Sequence, residues 1–109
     1  MQTVNIKPLT VNRAWRGRKF KTPEYKAFEQ ELYYLLPKLK VPDGKLEVKY
    51  EFGVSSKNAD YDNCIKQFQD ILSKKYDFND SKIYKAQIEK ADVKKGQEYI
   101  KFSIKSLTK

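Results

Sequence analysis

An α+β fold is predicted for this chain, one mixed β-sheet with two helices packed on it in the order β-α-β-α-β-β. Three observations predict it. Residues 45–54 alternate apolar and polar without a break, the mark of a half-buried strand. Two stretches, 23–36 and 62–75, carry apolar residues at helical spacing. The length, 109 residues, suffices for one compact domain and is too short for two, so residues 1–109 are read as a single unit.

The elements follow in order. Residues 2–7 alternate around Val4 and Ile6 and stop at Pro8, a short strand. Thr22-Pro23-Glu24 supplies an N-cap, a proline at the first helical position and a first-turn acid. Tyr25, Phe28, Leu32, Leu35, Leu36 and Leu39 follow at helical spacing as a core stripe, and the helix breaks before Pro37. Val41-Pro42-Asp43-Gly44 is a turn. In the strand 45–54, Leu46, Val48, Tyr50, Phe52 and Val54 share one face. The second helix turns Ile65, Phe68, Ile71 and Leu72 inward. Residues 83–93 read as a strand with a basic load, Lys94 to Gln97 as a hairpin turn, and 98–105 as the last strand, with Ile100, Phe102 and Ile104 inward.

Composition narrows the chemistry. Hydrophobic content of 39% supports a core despite 34% charged residues. A formal net charge of +9 suits a polyanionic partner, nucleic acid or an acidic membrane surface. No apolar run approaches the roughly 18 residues of a membrane span, and no signal-peptide pattern opens the chain. With no histidine, Ser-His-Asp and Cys-His catalysis and the usual zinc sites are excluded. Cys64 is the single cysteine, so no internal disulfide forms; it is expected to fill space in the helix, and a reducing, cytoplasmic home follows. Carboxylates, lysines and metal remain.

The stretch Lys57 to Asp70 concentrates that chemistry. Asp60-x-Asp62 marks the junction between a strand and a helix, because aspartate is a poor former of both interiors. Two carboxylates so close repel unless a cation lies between them, and a hard divalent ion, Mg²⁺ or Mn²⁺, fits oxygen ligands. An N-cap beside an exposed turn acid is the simpler account of the pair taken alone. Asp62, Lys66 and Asp70 recur at i, i+4 and i+8 and line one helix face. That row is either a surface ladder or the wall of a site. Tyr76 to Ser81 adds a third acid cluster in a turn. Near the N-terminus, Asn12-Arg13-Ala14-Trp15-Arg16 places the only tryptophan among arginines. Such a group stacks on bases and clamps phosphates, or anchors a loop to the core. Pro42-Asp43 with Glu47-x-Lys49 is similar to a restriction-nuclease signature, but the gap is too short to hold the strand that separates its halves in that family.

Asp60-x-Asp62-Asn63-x-x-Lys66-x-x-x-Asp70-x-Leu72 resembles the core motif of the RusA family of Holliday junction resolvases. Phe78-Asn79-Asp80-x-x-Ile83 resembles that family's second motif, and Val11-Asn12-Arg13-x-Trp15-Arg16 its N-terminal segment. The resemblance implies a homodimeric, Mg²⁺-dependent endonuclease, with Mn²⁺ as a substitute, that nicks four-way DNA junctions in paired strands. On it, Asp60, Asp62 and Asp80 are the metal-binding acids and Lys66 the essential lysine. Asn79 departs from the pattern: it replaces the first acid of an Asp-Asp pair, which leaves Asp80 as the ligand or brings in the Asn79 carbonyl oxygen. Asp70 is expected to orient Lys66 and Asn63 to support the motif. Arg13, Arg16, Lys19 and Lys90, with Asn12 and Trp15, are the expected DNA contacts. A non-catalytic basic DNA-binding module of a phage is the competing expectation. It accounts for the charge but not for three acids beside a phosphate backbone.

Overall fold

The computed structural model describes residues 1–16, 20–56 and 64–107, and of Val11, Asn12, Arg16 and Phe20 the backbone only. Strand β1 is Gln2–Val4, followed by a short helix α1 (Val11–Ala14) and two two-residue strands, β2 (Trp15–Arg16) and β3 (Phe20–Lys21). Helix α2 (Pro23–Leu35), strand β4 (Leu46–Val54) and helix α3 (Ile65–Lys75) come next, then strands β5 (Ile83–Asp92) and β6 (Tyr99–Ser106). The fold is the expected α+β type: a mixed four-stranded sheet, ordered β1-β6-β4-β5, with the helices sharing one core against it.

β4 is central and alternates as its sequence demands. Val48, Tyr50 and Phe52 are buried under the helices, while Glu47, Lys49 and Glu51 are half-buried on the opposite face. There Glu47 pairs with Lys85 at 3.5 Å and Glu51 with Lys101 at 4.0 Å. Phe68 of α3 is the main wedge between helix and sheet. Its ring lies edge-on to Tyr50, Phe52 and Phe102, with centroids 5.1, 5.7 and 5.8 Å away. Edge-to-face contacts of this kind add to the ~1.5–3 kcal/mol gained by burying such a side chain. α2 closes the same core with Tyr25, Phe28 and Leu32.

The predicted hairpin between the last two strands does not form. β5 pairs with β4 in parallel, from Leu46↔Ile83 to Val54↔Asp92, and β6 pairs with β4 antiparallel on its other side. The expected turn is present: Gln97 N–H bonds the Lys94 carbonyl at 2.9 Å, and Gly96 takes φ +94°. It carries the chain across the end of β4, where Val93 N–H bonds the Val54 carbonyl at 2.9 Å. The physical reason lies in β4, which is apolar enough to sit between two neighbours. Helix α3 returns the chain for a parallel partner, and polar β5 takes the edge while apolar β6 takes the interior. A short loop between two strands favours a hairpin, but this one spans a single intervening strand.

The first strand is also shorter than its pattern. It stops at Val4, where its pairing with β6 ends, and Ile6 N–H turns back onto the Val4 carbonyl at 3.0 Å. The α1 turn and the β2–β3 ladder, which pairs Trp15 with Lys21, lack any periodic signal long enough to announce them. Cys64 is buried as expected, and burial pushes its thiol up to about 11.

Candidate functional site

Thr22 builds the first wall of the site. Its hydroxyl accepts from the Tyr25 N–H at 3.1 Å, capping α2, and donates to the Arg13 carbonyl. Thr22 N–H also bonds the Ala14 carbonyl at 3.0 Å. The loop before α2 is thereby tied to the helix start, and Trp15 is set against Tyr25 with ring centroids 5.0 Å apart. Trp15 is half-buried against the core, as the anchoring alternative requires.

The second wall is α3. Lys66 and Asp70 share the face their spacing predicted, and Lys66 Nζ lies 5.5 Å from the centroid of the Trp15 ring. Asp70, four residues on, is half-buried. Its carboxyl is raised chiefly by burial; Lys66 opposes that shift, Asp80 adds to it, and Lys74 and Lys21 oppose it. Lys66, Asp70 and Asp80 therefore occupy one electrostatic neighbourhood, with Asp70 at its centre.

The end of α3 explains how Asp80 reaches it. Asp77 adopts the left-handed conformation, φ 52°, and Phe78 N–H bonds the Ser73 carbonyl at 3.1 Å. This six-to-one bond is the Schellman way of ending a helix, and it folds the chain back. Asn79 then caps a single 3-10 turn, Asp80–Lys82, its side-chain oxygen accepting from Ser81 N–H at 2.9 Å. That carbonyl oxygen is thus occupied in presenting Asp80, which gives Asn79 a structural task in place of an acid. Tyr50 marks the floor. Its hydroxyl donates to Gln69 at 3.1 Å, and burial and then the Asp80 charge raise its pKa.

Asp60, Asp62, Asn63 and Lys19 lie outside the described residues, as do the side chains of Asn12 and Arg16. Cys64, two residues after Asp62 in the sequence, is the N-cap position of α3. Arg13 is exposed at the end of α1. Lys90 stands in register with Phe52, on the helix-covered side of the edge strand β5. Lys74 extends the 62-66-70 row by one more step of four. The same spacing of four in the sequence predicts its place on that face.

Among the described residues no group of three acids, cysteines or histidines is close enough to hold a metal. Asp70, half-buried, lies within reach of the charge of the exposed Asp80, with Lys66, Lys74 and Lys21 as the surrounding cations. Carboxylate oxygens are hard donors that fit a hard divalent cation, with Asp60 and Asp62 as the donors the sequence adds. Fold and site together define a small basic α+β domain with a carboxylate–lysine cluster beneath a tryptophan. In comparison with known proteins, no family model matches the chain and no curated protein matches it.

Proposed function

We propose that this protein is a Mg²⁺-dependent endodeoxyribonuclease that acts on branched DNA, nicking four-way junctions in paired strands as a homodimer, as its resemblance to the RusA resolvases implies. The observation that carries the reading is that the 3-10 turn bearing Asp80 packs against α3, the helix of Lys66 and Asp70, in a protein with a net charge of +9. Acids gathered on a basic surface repel a phosphate backbone, so a DNA-binding role alone leaves them without a purpose. A metal role gives them one.

In this proposal Asp60, Asp62 and Asp80 hold the cation. When bound, it supplies polarisation of the phosphate and a lowered pKa for a coordinated water. Lys66 offsets the charge that grows on phosphorus in the transition state. Asp70 positions Lys66 from one side and Trp15 from the other. Arg13, Arg16, Lys19 and Lys90 contact phosphates and set the position of the DNA without reading its bases. Such an enzyme works in the cytoplasm of a bacterium or a phage-infected cell; no helix among the described residues is long and apolar enough to cross a membrane.

The test is cleavage of a synthetic four-way junction with Mg²⁺ and with chelator, by wild type and Asp62→Asn. Paired nicks that need Mg²⁺, and junction binding without nicks by Asp62→Asn, are expected. Binding that is metal-independent, with no nicking at any Mg²⁺ or Mn²⁺ concentration, overturns the proposal in favour of a DNA-binding module.

A further inference from the structure

A groove of about 600 Å³ runs between α2 and α3, lined by Lys26, Glu29, Tyr33, Tyr34, Lys74 and Lys75 among others. A second hollow of about 430 Å³ is lined by Lys38 and Lys40, and Lys75 lines both. Two features set this surface apart. Tyr34 is 86% exposed and Tyr33 43%, two large rings side by side in the last turn of α2. Lysines line the same groove as these rings, and Lys75 Nζ lies 4.5 Å from the Tyr33 centroid. The one acid among the described lining residues, Glu29, is already engaged by Lys74 at 3.0 Å and Lys21 at 3.5 Å.

From this arrangement we infer that the α2–α3 groove is a binding channel for single-stranded DNA, separate from the acid cluster. Exposed rings interleaved with lysines are the combination that unpaired nucleic acid requires: a face on which a base stacks, and cations for the phosphates on either side. Duplex DNA hides its base faces within the stack and has no use for Tyr34. A second copy of this chain is disfavoured, because two lysine-lined grooves repel. A neutral protein partner leaves the lysines of the channel without counter-charge. Lys66, Asp70 and Lys74 follow one another along one face of α3, so a strand leaving the acid cluster passes over Lys74 into the groove. The inference does not rest on cleavage, since this binding needs no metal.

The experiment measures anisotropy of a labelled oligothymidine of about twelve nucleotides, a length within the usual site sizes, in chelator and low salt. Wild type, Tyr33→Ala/Tyr34→Ala and Lys38→Glu/Lys75→Glu are compared, with a duplex of equal length alongside. The tyrosine pair is expected to weaken oligothymidine binding by about tenfold or more and duplex binding hardly at all. The lysine pair should weaken both. Oligothymidine affinity unchanged in the tyrosine variant, at an unchanged melting temperature, overturns the inference. So does a tyrosine variant that changes sedimentation, which would make the groove a subunit interface. If the tyrosine variant fails to fold, Tyr34→Ser alone, at an 86% exposed position, carries the same comparison. Loss of oligothymidine binding in a chain that never nicks a junction supports the groove and rejects the nuclease; intact binding in an active nuclease does the reverse.

Discussion

The Lys66 ammonium stands 5.5 Å from the centroid of the Trp15 ring, on the helix face it shares with Asp70. Lys66 is exposed, yet its ammonium leans toward the ring while Asp70 lies four residues on along the same helix. At an exposed site the cation–π contact is worth roughly 0.5–1 kcal/mol, enough to bias the side chain toward one place.

That contact makes Lys66 the sharpest mutational test of the nuclease reading. Lys66→Ala should slow single-turnover junction cleavage by about 10²–10³-fold, the loss seen on removing one transition-state donor. Its stability cost should stay within about 1 kcal/mol, because Lys66 is exposed and a cation–π contact at an exposed site is worth no more than that. Lys66→Arg should rescue poorly, since a planar fork cannot replace a compact charge. Trp15, the only tryptophan, gives an independent readout: its emission should shift in Lys66→Ala without any DNA present. Unchanged emission together with near-normal cleavage removes Lys66 from the site.

A second prediction concerns packing behind the sheet. A Cβ added at Gly53 would meet the Tyr99 ring at 2.7 Å, a separation real Cβ atoms do not tolerate. Tyr99 is fixed there by its hydroxyl, which donates to Glu51, and by Lys101 Nζ at 5.2 Å from the ring centroid. Gly53→Ala should therefore destabilise by about 1–3 kcal/mol, in line with overpacking elsewhere. Chemical denaturation of Gly53→Ala, Tyr99→Ala and the double variant tests the cause. If the clash is responsible, Tyr99→Ala suppresses the effect of Gly53→Ala; additive costs would place the strain elsewhere.

The long periodic elements were legible because each buries one face. β4 and α3 declare themselves through Leu46 to Val54 and through Ile65, Phe68, Ile71 and Leu72, whose spacing the core requires. Thr22 and Pro23 fixed the start of α2 for the same local reason. The strand order was not legible. Which side of β4 each later strand takes depends on a tertiary competition between polar β5 and apolar β6, and the turn at Gly96 is compatible with either result. At the site, the i, i+4 row of Lys66 and Asp70 could be read directly. The approach of Trp15 could not, because it depends on Thr22 holding a short irregular loop against Tyr25.

Acid should loosen the pairing of α2 with α3 through Glu29. Burial pushes that carboxyl up, but the hydrogen bond from Lys74 and the charges of Lys21 and Lys74 outweigh it and leave it below its ordinary 4.5. A carboxylate whose pKa is lower folded than unfolded contributes stability above the unfolded value and loses it as pH falls through the folded one. Melting temperature should consequently drop between roughly pH 5 and pH 3, and Glu29→Gln should show a shallower acid limb. Parallel acid limbs for the two proteins would remove Glu29 as the linkage.

The last prediction separates the general charge of the protein from its site. Junction binding in chelator should weaken steeply with salt, log K falling by about 0.9 per neutralised phosphate for each unit of log salt. A net charge of +9 makes several such contacts available, and the lysines of the α2–α3 groove account for part of them. Lys38→Glu/Lys75→Glu should lower the slope by about two, one per contact, if a junction arm reaches that far. Asp80→Asn should leave the slope as it is, because removing an acid deletes no phosphate contact, while raising affinity at every salt concentration by relieving repulsion. Titration of a labelled junction from ~50 to ~200 mM salt distinguishes these effects. A nearly flat dependence for wild type would mean that the excess charge serves solubility, and neither the cluster nor the groove would then be a place for DNA.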